Sequence, residues 1–190
     1  MPPRPPPLAE GHDDADETNV LPVTELVEMM KSGDKSIRVL DVRTDKEFAG
    51  GHIAGALHQP SEAFLDGESG HDCATKLLSE FSAQGVTSLV VHCMYSQSRG
   101  PAVVQLMKAT AVESGHSMKI SLLGGGFHKF MNTVWEASEG KTGDVPGLLE
   151  GFNAKSWRRT KSHGLVESDA VEGLEELGVD IEGEGQASGA

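Results

Sequence analysis

Between residues 23 and 135 the apolar positions change period repeatedly, and each change predicts an element. "VTELVEMMKSG" has helical spacing: Leu26, Met29 and Met30 share a face, Thr24 is a candidate N-cap and Gly33 a stop. "IRVLDV" (37–42) is a short β-branched run of the kind buried in sheets. "TDKEF" reads as a short helical turn, and "GGHIAGALHQP" leads through glycines into a second strand near 56–59. "ATKLLSEFSAQG" (74–85) spaces Leu77, Leu78 and Phe81 as a helix ended by Gly85. "TSLVVHC" (87–93) is a third strand. "GPAVVQLMKATAVESG" (100–115) is a helix with Pro101 in its first turn, where proline is tolerated. "MKISLL" (118–123) is a fourth strand, and "GGGFHKFMNTVW" (124–135) a glycine-led final helix. Strands alternating with helices imply an α/β fold, a mainly parallel sheet covered on both faces.

The ends read differently. Residues 1–22 hold six prolines and five acids, the pattern of a disordered arm. Residues 136–190 read as an acidic, mostly flexible tail. They contain a solvated basic-aromatic island, "KSWRRTKSH" (155–163), and a short amphipathic helix near 168–181, where Val171, Leu174, Leu177 and Ile181 fall at helix spacing. That stripe is a candidate contact for a protein partner.

Charge changes the picture further. The net −13 belongs to the ends, since 23–135 carries twelve acids against ten bases. A chain without a basic face is not expected to bind nucleic acid, whose phosphates must be neutralised by Lys and Arg. No apolar run approaches the roughly 18 residues needed to span a bilayer, and the N-terminal stretch lacks the apolar core of a signal peptide. Two cysteines are too few for a disulfide scaffold. The expected location is the cytoplasm, with the nucleus as an alternative.

The chemistry concentrates in "HCMYSQSRG". Cys93 ends a strand, Arg99 opens a helix, and Met94, Tyr95, Ser96, Gln97 and Ser98 lie between them. Open α/β sheets bind ligands in such loops. Amides wrapped around a point form a nest for a tetrahedral oxyanion, helped by the dipole of the following helix. The same field favours a thiolate at Cys93, making it a nucleophile. Arg99 can hold two anion oxygens with its planar fork. A buried Cys with no chemical role has the same local pattern.

"HCMYSQSRG" resembles the active-site signature of cysteine-dependent phosphatases, and "VLDVRTDKEFAGGHIAGALH" the entry motif of rhodanese-like domains. With "LLGGGFHKF", these motifs cover 23–135 in order and resemble the rhodanese subgroup of cell-cycle dual-specificity phosphatases and eukaryotic arsenate reductases. The resemblance implies a rhodanese-like sheet of about five strands flanked by helices on both faces. It implies a small oxyanion or phosphoprotein substrate, with Cys93 as nucleophile, Arg99 as anion clamp and residues 94–98 as the anion-binding loop. Asp41, Arg43 and His92 fall at supporting positions, and His52 reads as structural. Sulfurtransferases of the family carry a loop one residue shorter; persulfide transfer is therefore an alternative, as is a non-catalytic binding module that uses the acidic tail.

Two departures bear on activity. The cell-cycle phosphatases carry glutamates where this chain has Met94 and Ser98, and Gly100 replaces the hydroxyl residue that follows the arginine in conventional tyrosine phosphatases. Without a loop carboxylate, a general acid worth about 10²–10⁴ in rate is missing; Asp66, Glu68 and Asp72 are candidates to replace it. Arsenate reduction needs no such acid. Its second thiol would be Cys73 or, as the resemblance implies, glutathione with glutaredoxin. No tightly bound cofactor and no metal are expected, since "HDC" (71–73) alone is too little for a metal site.

Overall fold

The structure, a computed structural model, describes residues 19–139, 143–160 and 164–168. Five strands form one parallel sheet: β1 (Val20–Leu21), β2 (Ile37–Asp41), β4 (Leu57–His58), β5 (Ser88–His92) and β6 (Lys119–Leu123), in the order β1-β6-β5-β2-β4. β3 (His52–Ile53) pairs antiparallel with β7 (Leu149–Glu150), and β8 (Trp157–Thr160) with β9 (Gly164–Glu167). The helices are α1 (Val23–Ser32), α2 (Asp45–Ala49), α3 (Glu62–Leu65), α4 (Gly67–Ala83), α5 (Arg99–Glu113) and α6 (Gly126–Ala137).

Strand periodicity divides the core into two layers. Ile37 and Val39 of β2 and Val90 of β5 pack with Leu26 of α1 and Phe127, Phe130 and Met131 of α6. The alternate positions Leu40, Leu89 and Val91 pack with Leu78 and Phe81 of α4 and Val103 and Met107 of α5. Such side chains contribute roughly 1.5–3 kcal/mol each when fully buried, so neither face of β2 or β5 can slip in register. Among the described residues no helix is long and apolar enough to cross a membrane.

Several boundaries differ from the sequence expectation. The first helix is preceded by Pro22 as N-cap, with Thr24 inside its first turn. α4 begins seven residues before the expected position 74, at Gly67, and its Gly70 lies so close to the Phe64 carbonyl that only glycine fits. The expected 1–22 arm gives up Val20 and Leu21, which extend the sheet alongside Leu122 and Leu123 of β6. The expected domain end at 135 is also corrected. Leu148, Leu149, Trp157, Leu165 and Val166 are buried, because β7 and the β8–β9 hairpin fold back on the domain. Trp157 therefore belongs to the core and not to a solvated island. Apart from Ser168, the 168–181 helix lies outside the described residues.

The glycines before α6 have a packing reason. The Phe127 and His128 amides donate to the carbonyls of Cys93 and Met94 at 3.0 and 2.9 Å, seating the helix start on the β5–α5 loop. A Cβ on Gly126, whose φ is +61°, would stand 2.5 Å from the Met94 oxygen and 2.6 Å from that of Cys93. Gly126→Ala is expected to destabilise the protein by roughly 2 kcal/mol or more, read as a lower urea midpoint. An unchanged midpoint would show that α6 is not seated on the loop.

Candidate active site

Cys93 follows β5 and Arg99 begins α5, so the intervening loop sits at the carboxyl end of the sheet, beside the amide-rich start of a helix. Cys93 and Met94 are buried, whereas Tyr95, Gln97 and Ser98 are exposed. Ser96 adopts φ +54°, a left-handed conformation uncommon for a residue with a side chain, and this bends the loop back on itself. Because α6 holds the Cys93 and Met94 carbonyls, those oxygens are turned away from the loop interior. Among the described residues, none of the amides of Met94, Tyr95, Ser96, Gln97 and Ser98 donates to another protein group. Five successive amides between Cys93 and Arg99 are therefore open to water or to a ligand.

Arg99 is held by a residue the sequence reading missed. Its Nη1 and Nη2 donate to Oε2 and Oε1 of Glu47, each at 2.7 Å, a bidentate pair. Glu47 is fixed in turn by a capping box at the start of α2. The Thr44 hydroxyl accepts from the Glu47 amide, while the Thr44 amide and hydroxyl donate to Glu47 Oε2 at 2.8 Å. Burial opposes the carboxylate's charge, yet the bonds from Arg99 and Thr44 outweigh it and lower the Glu47 pKa to about 2. The same pair raises the Arg99 pKa against the opposing effect of burial, with Cys93 and Glu62 adding to the rise. Glu47 is thus an ionised acceptor across the whole working range of pH.

Beneath this pair lies a buried ionic cluster. Arg43 makes four contacts of 2.7–3.0 Å to the Asp41 carboxylate and donates to the carbonyls of Glu47 and Gly51 at 3.1 and 2.8 Å. Its guanidinium lies 3.8 Å from the Phe127 ring centroid. Burial pushes the Asp41 carboxyl up, but His92 and Arg43 together hold it below the usual range. Burial lowers the His92 pKa against the pull of Asp41, with Arg43 adding to the fall. Its Nδ1 lies 3.3 Å from the Cys93 carbonyl, a contact suited to supporting the loop. Asp41, Arg43 and His92, which the family resemblance placed at supporting positions, form one buried cluster next to Cys93.

Other expected residues sit elsewhere. Asp66, Glu68 and Asp72 are exposed around the start of α4, whereas the carboxylates that act on Arg99 are Glu47 and Glu62. Cys73 is half-buried on α4, and burial pushes its thiol up with Lys76 opposing. Its helix is tied through His71 to Glu113, the end of α5 remote from Cys93. The Tyr95 ring tilts against His128 with centroids 5.2 Å apart, and burial, Glu167 and Glu47 all raise its phenol. His52 stacks on Phe48 at 3.9 Å, a structural contact. Among the described residues no three His, Cys, Asp or Glu side chains converge as a metal site would need.

Comparison with known proteins agrees with this architecture. The "CDC25-like phosphatase YCH1" of Saccharomyces cerevisiae is 29% identical over 141 residues, 69% of this chain and 95% of that protein. "Arsenate reductase 2.2" of Oryza sativa subsp. japonica is 35% identical over 82 residues, 43% of this chain and 55% of the relative. The solved structure of a yeast protein tyrosine phosphatase of the rhodanese family is 28% identical and superposes with a TM-score of 0.58, covering 73% of this chain and 96% of the other. The As-Sb reductase of Leishmania major, 16% identical with a TM-score of 0.53 over 83% of this chain and 99% of that one, shares the fold. Residues 22–133 match the rhodanese-like domain, and the chain belongs to that family.

Proposed function

We propose that this protein is a cysteine-dependent phosphatase for phosphomonoesters, with Cys93 as nucleophile and Arg99 as anion clamp. The observation that carries the reading is the run of five loop amides, 94–98, without a protein acceptor among the described residues, bounded by a thiol and a bidentate-held guanidinium. In the first step Cys93 Sγ bonds to phosphorus and the P–O bond to the leaving alcohol breaks. Water then attacks the phosphocysteine and releases phosphate and the thiolate. The nest and Arg99 meet the charge of the equatorial oxygens in both steps. The similarity to a full-length CDC25-like phosphatase supports this choice.

One observation favours a second activity. Glu47 is held ionised, so it cannot protonate a leaving alkoxide, and the loop has no acid of its own. Reduction of arsenate avoids that demand. Cys93 would add to arsenate with loss of water. A thiol such as glutathione would then attack the Cys93 sulfur, leaving arsenite and a mixed disulfide; the two sulfurs are oxidised as arsenic is reduced, and glutaredoxin restores Cys93. No cofactor is bound tightly in either cycle. The substrate is a small oxyanion or a phosphoprotein, and phosphomonoesters with good leaving groups are favoured.

Two measurements test this. On one reduced preparation, hydrolysis of an aryl phosphate and arsenate reduction with glutathione and glutaredoxin are followed for wild type and Cys93→Ser. Turnover in at least one assay, abolished by the substitution, is expected; silence in both would sink the enzyme reading, and a stable persulfide after thiosulfate treatment would point to sulfurtransfer instead. The second is the pH profile of Glu47→Gln. A carboxyl lowered to about 2 keeps its charge, and the support it lends Arg99, at every pH well above that value, losing both only as pH falls toward about 2. Glu47→Gln should therefore lower kcat/KM by about tenfold or more while leaving any acid limb between about pH 5 and 7 in place. Loss of that limb would make Glu47 the proton donor.

A further inference from the structure

Residues beyond 143 return to the turn that ends α2. Two N–H groups of this extension converge on the Gly50 carbonyl: the Trp157 indole Nε1–H at 2.7 Å and the Asn153 amide at 3.2 Å. Ser156 closes over the same turn, its Cβ 3.0 Å from where a side chain on Gly50 would begin. Trp157 is itself buried and tilts against Phe127 with ring centroids 5.8 Å apart. That is the ring on which Arg43 rests, and Arg43 donates to the carbonyls of Glu47 and Gly51. Trp157 thus touches both supports of α2: the carbonyl at its end and the ring under its arginine. A helix of five residues cannot sustain itself. The direction in which it aims Glu47 is set by such outside ties.

We propose that Trp157 is a positioning residue for the anion clamp, fixing the end of α2 and through it the Glu47 carboxylate against Arg99. The functional consequence rests on the oxyanion reading above; the positioning does not. If Trp157 only filled core space, removing its N–H while keeping its shape would lower stability and leave Arg99 undisturbed.

The test reads Arg99 directly. The full chain is labelled with ¹⁵N, and the Arg99 Nε–Hε resonance is assigned by its loss in Arg99→Lys. It is then followed in wild type, Glu47→Gln, Trp157→Phe and the double variant. A fifth protein, carrying β-(3-benzothienyl)alanine at position 157, keeps the indole shape without the N–H and covers the case in which Trp157→Phe fails to fold. The expected result is that loss of the N–H moves the Arg99 signal in the direction Glu47→Gln moves it. The double variant should move it no further than Glu47→Gln alone. The same samples are titrated with tungstate. The Trp157 variants should bind it about fivefold more weakly, a loss that disappears when Glu47 is already Gln. An Arg99 signal at its wild-type position in a protein lacking the N–H overturns the proposal. Loop resonances of wild type that ignore tungstate would defeat the oxyanion reading instead, and the Arg99 signal would still decide the role of Trp157.

Discussion

Arg43 is charged and fully buried, and the geometry of the site follows from satisfying it. Taking such an ion out of water costs several kcal/mol, a cost offset only when hydrogen bonds and an opposite charge are well placed. Here the opposite charge is Asp41 at the end of β2, and the remaining donors reach the Glu47 carbonyl within α2 and the Gly51 carbonyl just past its end, with an aromatic face from α6 against the guanidinium. Few arrangements of these elements satisfy every group. The buried pair therefore acts as a register device: it sets where α2 lies relative to the sheet, and with it where Glu47 can point. Arg99 inherits that position through the bidentate pair. One buried guanidinium thus orients a second, partly exposed one through α2 and Glu47.

The Glu47–Arg99 pair also limits what the site can attract. At an effective dielectric near 20, two unit charges about 5 Å apart interact by about 3 kcal/mol. An anion approaching Arg99 gains that attraction and meets a repulsion of similar size from Glu47. The pair's contribution to affinity is then mostly one of shape: a fork held ready to share two oxygens. For an oxyanion held in the proposed way, net attraction would come from the five loop amides and the start of α5, which carry no opposing charge. Glu62 near Arg99 and Glu167 near Tyr95 add negative charge at the mouth. This electrostatic frame suits a compact oxyanion enclosed by amides better than an extended, highly acidic substrate.

The sheet and its helices were legible because β2, β5 and β6 are short stretches rich in Ile, Val and Leu, set between segments of helical spacing. The Cys93–Arg99 loop was legible through its placement between a strand and a proline-bearing helix together with the family resemblance, since the spacing alone also fits a buried cysteine with no chemical role. Glu47 was not, although its signal was present: Thr44 and Glu47 form the Thr-x-x-Glu pattern of a capping box. Reading "TDKEF" as a connecting turn hid that its glutamate has a second carboxylate oxygen to offer elsewhere. The C-terminal region was misjudged for a different reason. Its buried residues, the pairs Leu148–Leu149 and Leu165–Val166 and the single Trp157, are scattered through a mostly polar stretch, and the hairpin docks on α6, where Asn132 exchanges hydrogen bonds with Leu165. Composition reports the average of such a segment, and the average is polar. β1 escaped notice because two residues have no period.

Gly100 shows how a departure from a motif can follow from packing. A Cβ at this position would stand 3.0 Å from Leu122 Cδ1 and 3.5 Å from Cys93 Sγ. The first turn of α5 thus lies directly on the end of β5 and against β6. A serine or threonine here would add a hydroxyl near the sulfur but would press the helix away from Leu122. Keeping glycine keeps the helix start close, and with it the partial positive charge of its unpaired amides. The same contact fixes where the loop between β5 and α5 begins and ends, so the reach from Cys93 to Arg99 is set by sheet-and-helix packing and not by the loop residues alone.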